Sequence, residues 1–293
     1  MSVVKPFIKW AGGKSQLLND IRARYPQKIN RYCEPFVGGG AVLLDVLANF
    51  QPNEVLINDI NAELVNTYMQ VQKDVDTLIE RLNCMQNEFW NADTEQRKII
   101  YSNNRNKYNN LKINGNISID LEKAALFIFL NKTCFNGLYR VNRKGLFNVP
   151  IGSYKKPPIC DSENLHIINK LLQGVEIKCG DYRSCSEFIN NVTFVYIDPP
   201  YRPLTETSSF TSYSENEFGD KEQIELGKFI DEIAAKGAKV VASNSDPKNV
   251  DENDNFFDEL YANFSINRVS AKRMINSKGS DRGAVNELLI YNY

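Results

Sequence analysis

An α/β architecture, a mostly parallel sheet with crossover helices and an inserted helical domain, follows from three features of the 293-residue chain. Short apolar runs that end in polar turns and lead into helix-like stretches recur at both ends of the sequence. Several of these runs stop on a carboxylate, where an open sheet presents its ligands. A long block of helical periodicity then interrupts the pattern ahead of the third run. The expected strands are 31–33, 54–58, 175–179, 193–197, 238–242, 264–269 and 286–291, with Asp59, Asp181 and Asp198 at three of the strand ends. The helical block comprises 61–84, 94–110 and 120–132, followed by a turn-rich stretch over 137–158. After the fourth strand, Asp220 is expected to cap a helix that ends near Lys236, with Gln223 reaching back as a capping box.

Composition narrows the class. Hydrophobic residues make up 42% and charged residues 24%, and 35 Lys+Arg nearly balance 36 Asp+Glu. That is ordinary globular composition, which excludes disordered, collagenous and disulfide-stapled chains. The six cysteines, Cys33, Cys84, Cys134, Cys160, Cys179 and Cys185, are scattered without a C-x-x-C spacing, so neither a zinc site nor a redox motif is expected. Reduced thiols fit a cytoplasmic protein. No stretch approaches the roughly 18 apolar residues of a membrane helix, and Met1 to Trp10 lacks the apolar centre of a signal peptide.

The net charge of −1 and a pI near 6.0 hide a lopsided distribution. Between Lys123 and Cys160 there is no Asp or Glu, while Lys123, Lys132, Arg140, Arg143, Lys144, Lys155 and Lys156 are cationic. Basic residues return at Arg268, Lys272, Arg273, Lys278 and Arg282, and acid collects over 251–259. A solvated face explains such a run as readily as a polyanion-binding surface does.

Two motifs carry chemistry. Glu34-Pro-Phe-Val-Gly-Gly-Gly-Ala41 follows a strand and opens a helix, so its backbone can approach a nucleotide-like ligand, and Asp59 lies where an acidic residue can accept from ribose hydroxyls. A strand-to-helix turn without ligand explains the glycines alone equally well. Leu43 stands where a dinucleotide fingerprint needs glycine, and Ile8 breaks the phosphate-loop pattern of Ala11-Gly-Gly-Lys-Ser15. The second motif, Asp198-Pro-Pro-Tyr201, directly follows 193–197. Its carboxylate and the Pro199 carbonyl, held rigid by Pro199 and Pro200, form two acceptors for one amino group. Gripped this way, an exocyclic base amine can turn its lone pair outward toward an electrophilic methyl. Tyr201 offers a stacking face worth roughly 1 to 3 kcal/mol.

These segments resemble the Dam-type DNA adenine N6-methyltransferases, and the resemblance covers almost the whole chain. It runs through Phe7-Ile-Lys-Trp-Ala-Gly-Gly-Lys14, Glu34-Pro-Phe-Val-Gly-Gly-Gly40, Asn58-Asp-Ile-Asn61, Asn136-Gly-Leu-Tyr-Arg140, Phe147-Asn-Val-Pro150, Tyr154-Lys-Lys-Pro157, Asp198-Pro-Pro-Tyr201, Ser243-Asn244 and Glu287-Leu-Leu289. It implies a Rossmann-like class I methyltransferase sheet, residues 1–62 with 159–293. Residues 63–158 are then a helical DNA target-recognition domain with a β-hairpin.

The implied methyl donor is S-adenosylmethionine, with Trp10, Lys14, Phe36, Gly38, Gly40, Asp59, Asp181, Tyr182 and Asp198 around it. The implied partner is double-stranded DNA, read at GATC. Arg140 matches the guanine-contacting arginine, Lys9, Leu138 and Pro150 match base-proximal positions, and Asn136, Asn142 and Arg143 lie in the same hairpin region. Phe135 occupies a position often held by Tyr in such proteins, so a wedge is retained but a hydroxyl contact is lost. The segment 208–213 resembles a loop expected to close over an extruded base. No metal is required, and a monomer is the simplest state. Two other readings remain open on the residues: methylation of cytosine N4 or a ribosomal RNA amine, and a non-catalytic DNA-binding protein on the same fold.

Overall fold

The computed structural model describes residues 4–114, 119–203, 218–272 and 284–293. A 3-10 turn, Lys14–Gln16, leads into α1 (Leu18–Arg22), β1 (Arg31–Glu34), α2 (Ala41–Phe50) and β2 (Glu54–Asp59). Next come α3 (Ala62–Lys73), α4 (Val75–Asn91), α5 (Thr94–Asn114) and α6 (Leu121–Thr133). The chain returns through α7 (Ser162–Leu172), β3 (Glu176–Cys179), β4 (Thr193–Ile197), α8 (Asp220–Ala235), β5 (Lys239–Ser245), α9 (Phe256–Leu260), β6 (Ser265–Lys272) and β7 (Ala284–Tyr291). The loop 208–213 and the cations Arg273, Lys278 and Arg282 lie outside the described residues.

The strands form one seven-stranded sheet in the order β3-β2-β1-β4-β5-β7-β6. Five strands are parallel and β7 inserts antiparallel between β5 and β6. The central β4, Thr-Phe-Val-Tyr-Ile, is buried at every position, as expected of a parallel strand covered on both faces. Strand order reverses between β1 and β4, which makes their carboxyl ends the switch point of the sheet.

All seven expected strands are present, β5 running three residues past 242 and β7 starting two before 286. The helical stretch 61–84 is two helices broken at Asp74, whose side chain caps α4 by accepting from the Thr77 N–H. Helix α7 was not read from the sequence. The cap of α8 is shifted by one residue: Gly219 is the N-cap, and its N–H donates to Glu222 Oε2 at 3.0 Å. Gln223 points elsewhere, into the site described below.

Helix α6 organises the inserted block. Asp120 caps it, and the residues from Ala124 to Asn131 are all buried, as required of a helix apolar on every side. The core is continuous with the sheet: Phe7 packs edge-on against Tyr68, and Trp10 stacks on Tyr139 at 5.6 Å beside Phe127. At the start of α6, Arg81 grips Glu122 through Nε and Nη2 at 2.7 and 2.8 Å, and Lys107 adds a third donor at 2.7 Å. The Arg81 hydrogen bonds hold the Glu122 carboxyl down at about 2.

The glycine turn after β1 is forced by packing. Gly38 and Gly40 have φ of +47° and +73°, where a side chain is strained. A Cβ at Gly38 would also lie 2.9 Å from the Trp10 indole, and one at Gly40 would collide with the Tyr68 hydroxyl.

Two outcomes follow. Glu122→Gln should lower stability at neutral pH by about 1 kcal/mol, since the network is partly exposed. Because the native carboxyl titrates below its unfolded value, the gap to wild type should close as pH falls from about 4.5 toward 2, measured by urea unfolding. Gly40→Ala should cost about 1 to 3 kcal/mol, and adding Tyr68→Phe, which removes the colliding hydroxyl, should restore part of it in a double-mutant cycle.

Candidate active site

Four adjacent strand ends converge at the switch point. β1 delivers Phe36 and the glycine turn, β4 delivers Asp198, β2 ends on Asp59, and Asp181 and Tyr182 follow β3.

Asp198 is the most constrained of these groups. Its Oδ1 accepts from Lys14 Nζ at 2.8 Å and from Ser243 Oγ at 2.9 Å. Among the described residues both donors use this one oxygen, and Oδ2 has no protein donor. Lys14, only 4% exposed, also donates to the Gly12 carbonyl at 2.6 Å and lies 4.7 Å from the centre of the Tyr201 ring. The Tyr201 hydroxyl donates to Glu287. Burial, then the negative charges of Asp198 and Glu287, push that phenol well above its usual range, so it remains a neutral donor.

The prolines are braced as well. Gln223 Nε2 donates to the Pro200 carbonyl at 3.0 Å, and its Oε1 accepts from Asn244 at 3.1 Å, with both side chains buried. Just beyond, Arg202 forks onto Asp220, reaches Asp254 and covers the Phe256 ring.

On the neighbouring strand ends, Asp59 accepts from the Gly38 N–H at 3.0 Å and the Asn61 N–H at 2.9 Å, tying the glycine turn to the start of α3. Burial raises its carboxyl, and those backbone donors counter the rise. Phe36 stacks on Tyr182 at 5.2 Å, and exposed Asp181 accepts from the Arg183 N–H. Asn58 donates to the Pro35 and Gly180 carbonyls, while its buried Oδ1 has no partner among the described residues. Glu34 is buried; that burial pushes it well above the carboxylate range, although the Tyr32 hydroxyl donates to it at 2.6 Å. Trp10 lies against Gly38 and Tyr68 against Gly40, so both glycines have a packing role of their own.

The acid-free stretch runs from the buried helix α6 into an exposed hairpin. Residues 140–148 make a hairpin closed by the Val141–Phe147 bridge, by Asn142 N–H to Leu146 O at 2.8 Å and by Asn148 N–H to Arg140 O at 3.1 Å. A second ladder joins Phe135 N–H to Pro150 O at 2.9 Å. Lys9, Phe135, Asn136, Arg140, Asn142, Arg143 and Pro150 are exposed, and Leu138 is half-buried. Phe135 presents 51% of its surface to solvent, beside Asn136 at φ +57°. Arg140 Nε donates to Asn148 Oδ1 at 2.9 Å, which aims the guanidinium. Asn131, buried on α6, holds the Lys9 backbone at both N–H and carbonyl and also donates to the Gly137 carbonyl.

Sequence reasoning gave no role to Ser243, Glu287, Asn148 or Asn131, and placed Gln223 in a helix cap. The first three did stand in the resembling segments, which was the available signal. Among the described residues no group of His, Cys, Asp and Glu is placed to hold a metal ion, and no helix is long and apolar enough to cross a membrane.

A family model described as "D12 class N6 adenine-specific DNA methyltransferase" matches residues 10–275. The Type II methyltransferase M.MjaIII of Methanocaldococcus jannaschii is 49% identical over 296 residues, covering 99% of each chain. The Type II methyltransferase M1.LlaDCHI of Lactococcus lactis subsp. cremoris is 37% identical, covering 99% of this chain and 96% of that one. A DNA adenine methylase of Haemophilus influenzae is 35% identical, covering 97% and 92%. A family match over residues 10–275 and a relative 49% identical over nearly the whole chain agree: the chain belongs to the D12 class N6 adenine-specific DNA methyltransferases.

Proposed function

We propose that the enzyme methylates N6 of an adenine flipped out of duplex DNA, within GATC, using S-adenosylmethionine. The observation that carries this reading is the asymmetric hold on Asp198: Lys14 and Ser243 occupy Oδ1, and Oδ2 is the acceptor left for an amino proton. The Pro199 carbonyl, on a segment braced through Gln223, is the second acceptor. With both protons engaged, the amine's lone pair turns outward.

When bound, S-adenosylmethionine supplies the electrophilic methyl on its sulfonium. The strand ends suit that ligand: an aromatic pair in Phe36 and Tyr182, a side-chain-free turn at Gly38 and Gly40, and carboxylates at Asp59 and Asp181. Trp10 and Lys14 border the same region, and the unpartnered Asn58 Oδ1 leaves an acceptor there for a ligand donor. The protein's share is alignment: it holds the amine in line and stacks the base on Tyr201. No metal enters this scheme.

An N6 inside a duplex cannot reach the strand ends, so the base leaves the stack at a cost of a few kcal/mol. The exposed Phe135 ring is the wedge that offsets this, with Asn136 beside it. Arg140, aimed by Asn148, reads O6 and N7 of guanine, and Lys9, Leu138, Asn142, Arg143 and Pro150 complete the DNA face. The labour divides between residues 1–62 with 159–293, which bind donor and perform transfer, and 63–158, which read DNA. A cytoplasmic monomer suffices for one strand at a time. The type II designation of two relatives favours a role in restriction-modification.

Nucleoside mass spectrometry of DNA from a methylation-free host should detect N6-methyladenine only when the chain is expressed. Asp198→Ala should reduce transfer by at least about 10² to 10³-fold. Retained turnover would remove the amine-gripping role. Arg140→Ala should lose roughly 1 to 3 kcal/mol of discrimination at a guanine, read from methylation of duplexes covering every four-base site.

A further inference from the structure

Asp198 is restrained from behind by a hydroxyl pair on the neighbouring strands. Tyr196 and Ser243 lie on adjacent parallel strands, β4 and β5, in the register that pairs Ile197 with Ala242. Their hydroxyl oxygens are 3.1 Å apart, and each residue is 1% exposed. Ser243 has one proton, and the acceptor carboxylate 2.9 Å away takes it. The Tyr196 hydroxyl must therefore be the donor in the other bond, which gives a directed chain from Tyr196 through Ser243 to Asp198 Oδ1.

We propose that Ser243 is a positioning residue for methyl transfer, its hydroxyl fixing the rotation of the Asp198 carboxylate so that Oδ2 faces the amino group. This rests on the reading of the site given above. Lys14 does not make Ser243 redundant. An ammonium on a flexible stem is a compact point charge that follows the carboxylate as it turns. Here Lys14 is also shared among Asp198, the Gly12 carbonyl and the Tyr201 ring. The serine hydroxyl is short, buried and held from behind, so it sets a direction as well as a charge balance.

Loss of the hydroxyl leaves Oδ1 satisfied by Lys14. The buried Tyr196 hydroxyl loses its acceptor, which weakens the fold, while the binding of donor and DNA should persist and orientation degrade; misplacement by about 1 Å costs about 10²-fold in rate.

The test uses the full chain with S-adenosylmethionine and a GATC duplex carrying adenine, or 2-aminopurine in its place as a fluorescent reporter of extrusion. Ser243→Ala should slow single-turnover methyl transfer about 10- to 100-fold. Its dissociation constants for donor and duplex and the 2-aminopurine signal should stay near wild type, while its melting temperature falls modestly because the Tyr196 hydroxyl is left without its acceptor. Ser243→Thr, which restores a hydroxyl, should recover most of the rate, and Tyr196→Phe, which leaves Ser243 free to rotate, should fall between. A Ser243→Ala rate equal to wild type overturns the role, as does a loss accounted for by weaker binding or by the fraction of protein unfolded at the assay temperature. If wild type forms no N6-methyladenine, the reading of the site falls instead, and this role falls with it.

Discussion

The ion pair between Lys14 and Asp198 is the constraint on which the site depends. An ammonium 4% exposed cannot be left without a counter-charge, because removing one partner of a buried pair costs about 3 to 5 kcal/mol. The pair joins two chain segments far apart in sequence, the turn before α1 and the exit of β4, and brings the Tyr201 ring under the same cation. A lysine suits this place better than an arginine. It distributes three donors among unlike acceptors, whereas a guanidinium fork would claim both carboxylate oxygens and leave none for a substrate.

Around this pair the protein spends buried polar groups where an apolar core would be simpler. Gln223, Asn244, Ser243, Asn58 and Glu34 are all buried near the strand ends, and most of their polar atoms are partnered within the protein. Such a network is stiff because each member has few alternative partners, and it stands on strands rather than loops. Its cost is visible in Glu34, driven toward its neutral form by burial with the charges of Asp198 and Asp59 nearby.

The strands were legible because each is a short apolar run closed by polar turn residues, and the strand ends were legible because a carboxylate there has no packing purpose. What escaped depends on pairings between distant segments. Ser243 meets Asp198 across 45 positions and Tyr201 meets Glu287 across 86. No periodicity encodes those distances, which only the strand order supplies. The cap of α8 was misplaced for a different reason. The spacing of an N-cap and an acid or amide three residues later is satisfied twice, at 219 with 222 and at 220 with 223. Burial of Gln223 beneath Pro200 decides between them. Asn148 was the most accessible omission, since it faces Arg140 within one hairpin.

Net charge near zero conceals an uneven distribution of charge along the chain. The strand ends gather Glu34, Asp59, Asp181 and Asp198, while the stretch from Lys123 to Cys160 contains no carboxylate at all. On the reading proposed above, the phosphate backbone is drawn to the hairpin, where Arg140 and Phe135 are exposed. The aromatic seam from Trp10 through Tyr139 to Phe147 joins the two regions through one packed core. The hairpin is thus seated on the wall of the transfer site. On the reading proposed above, a base leaving the stack beside Phe135 is received by a carboxylate whose Oδ1 is already held by Lys14 and Ser243.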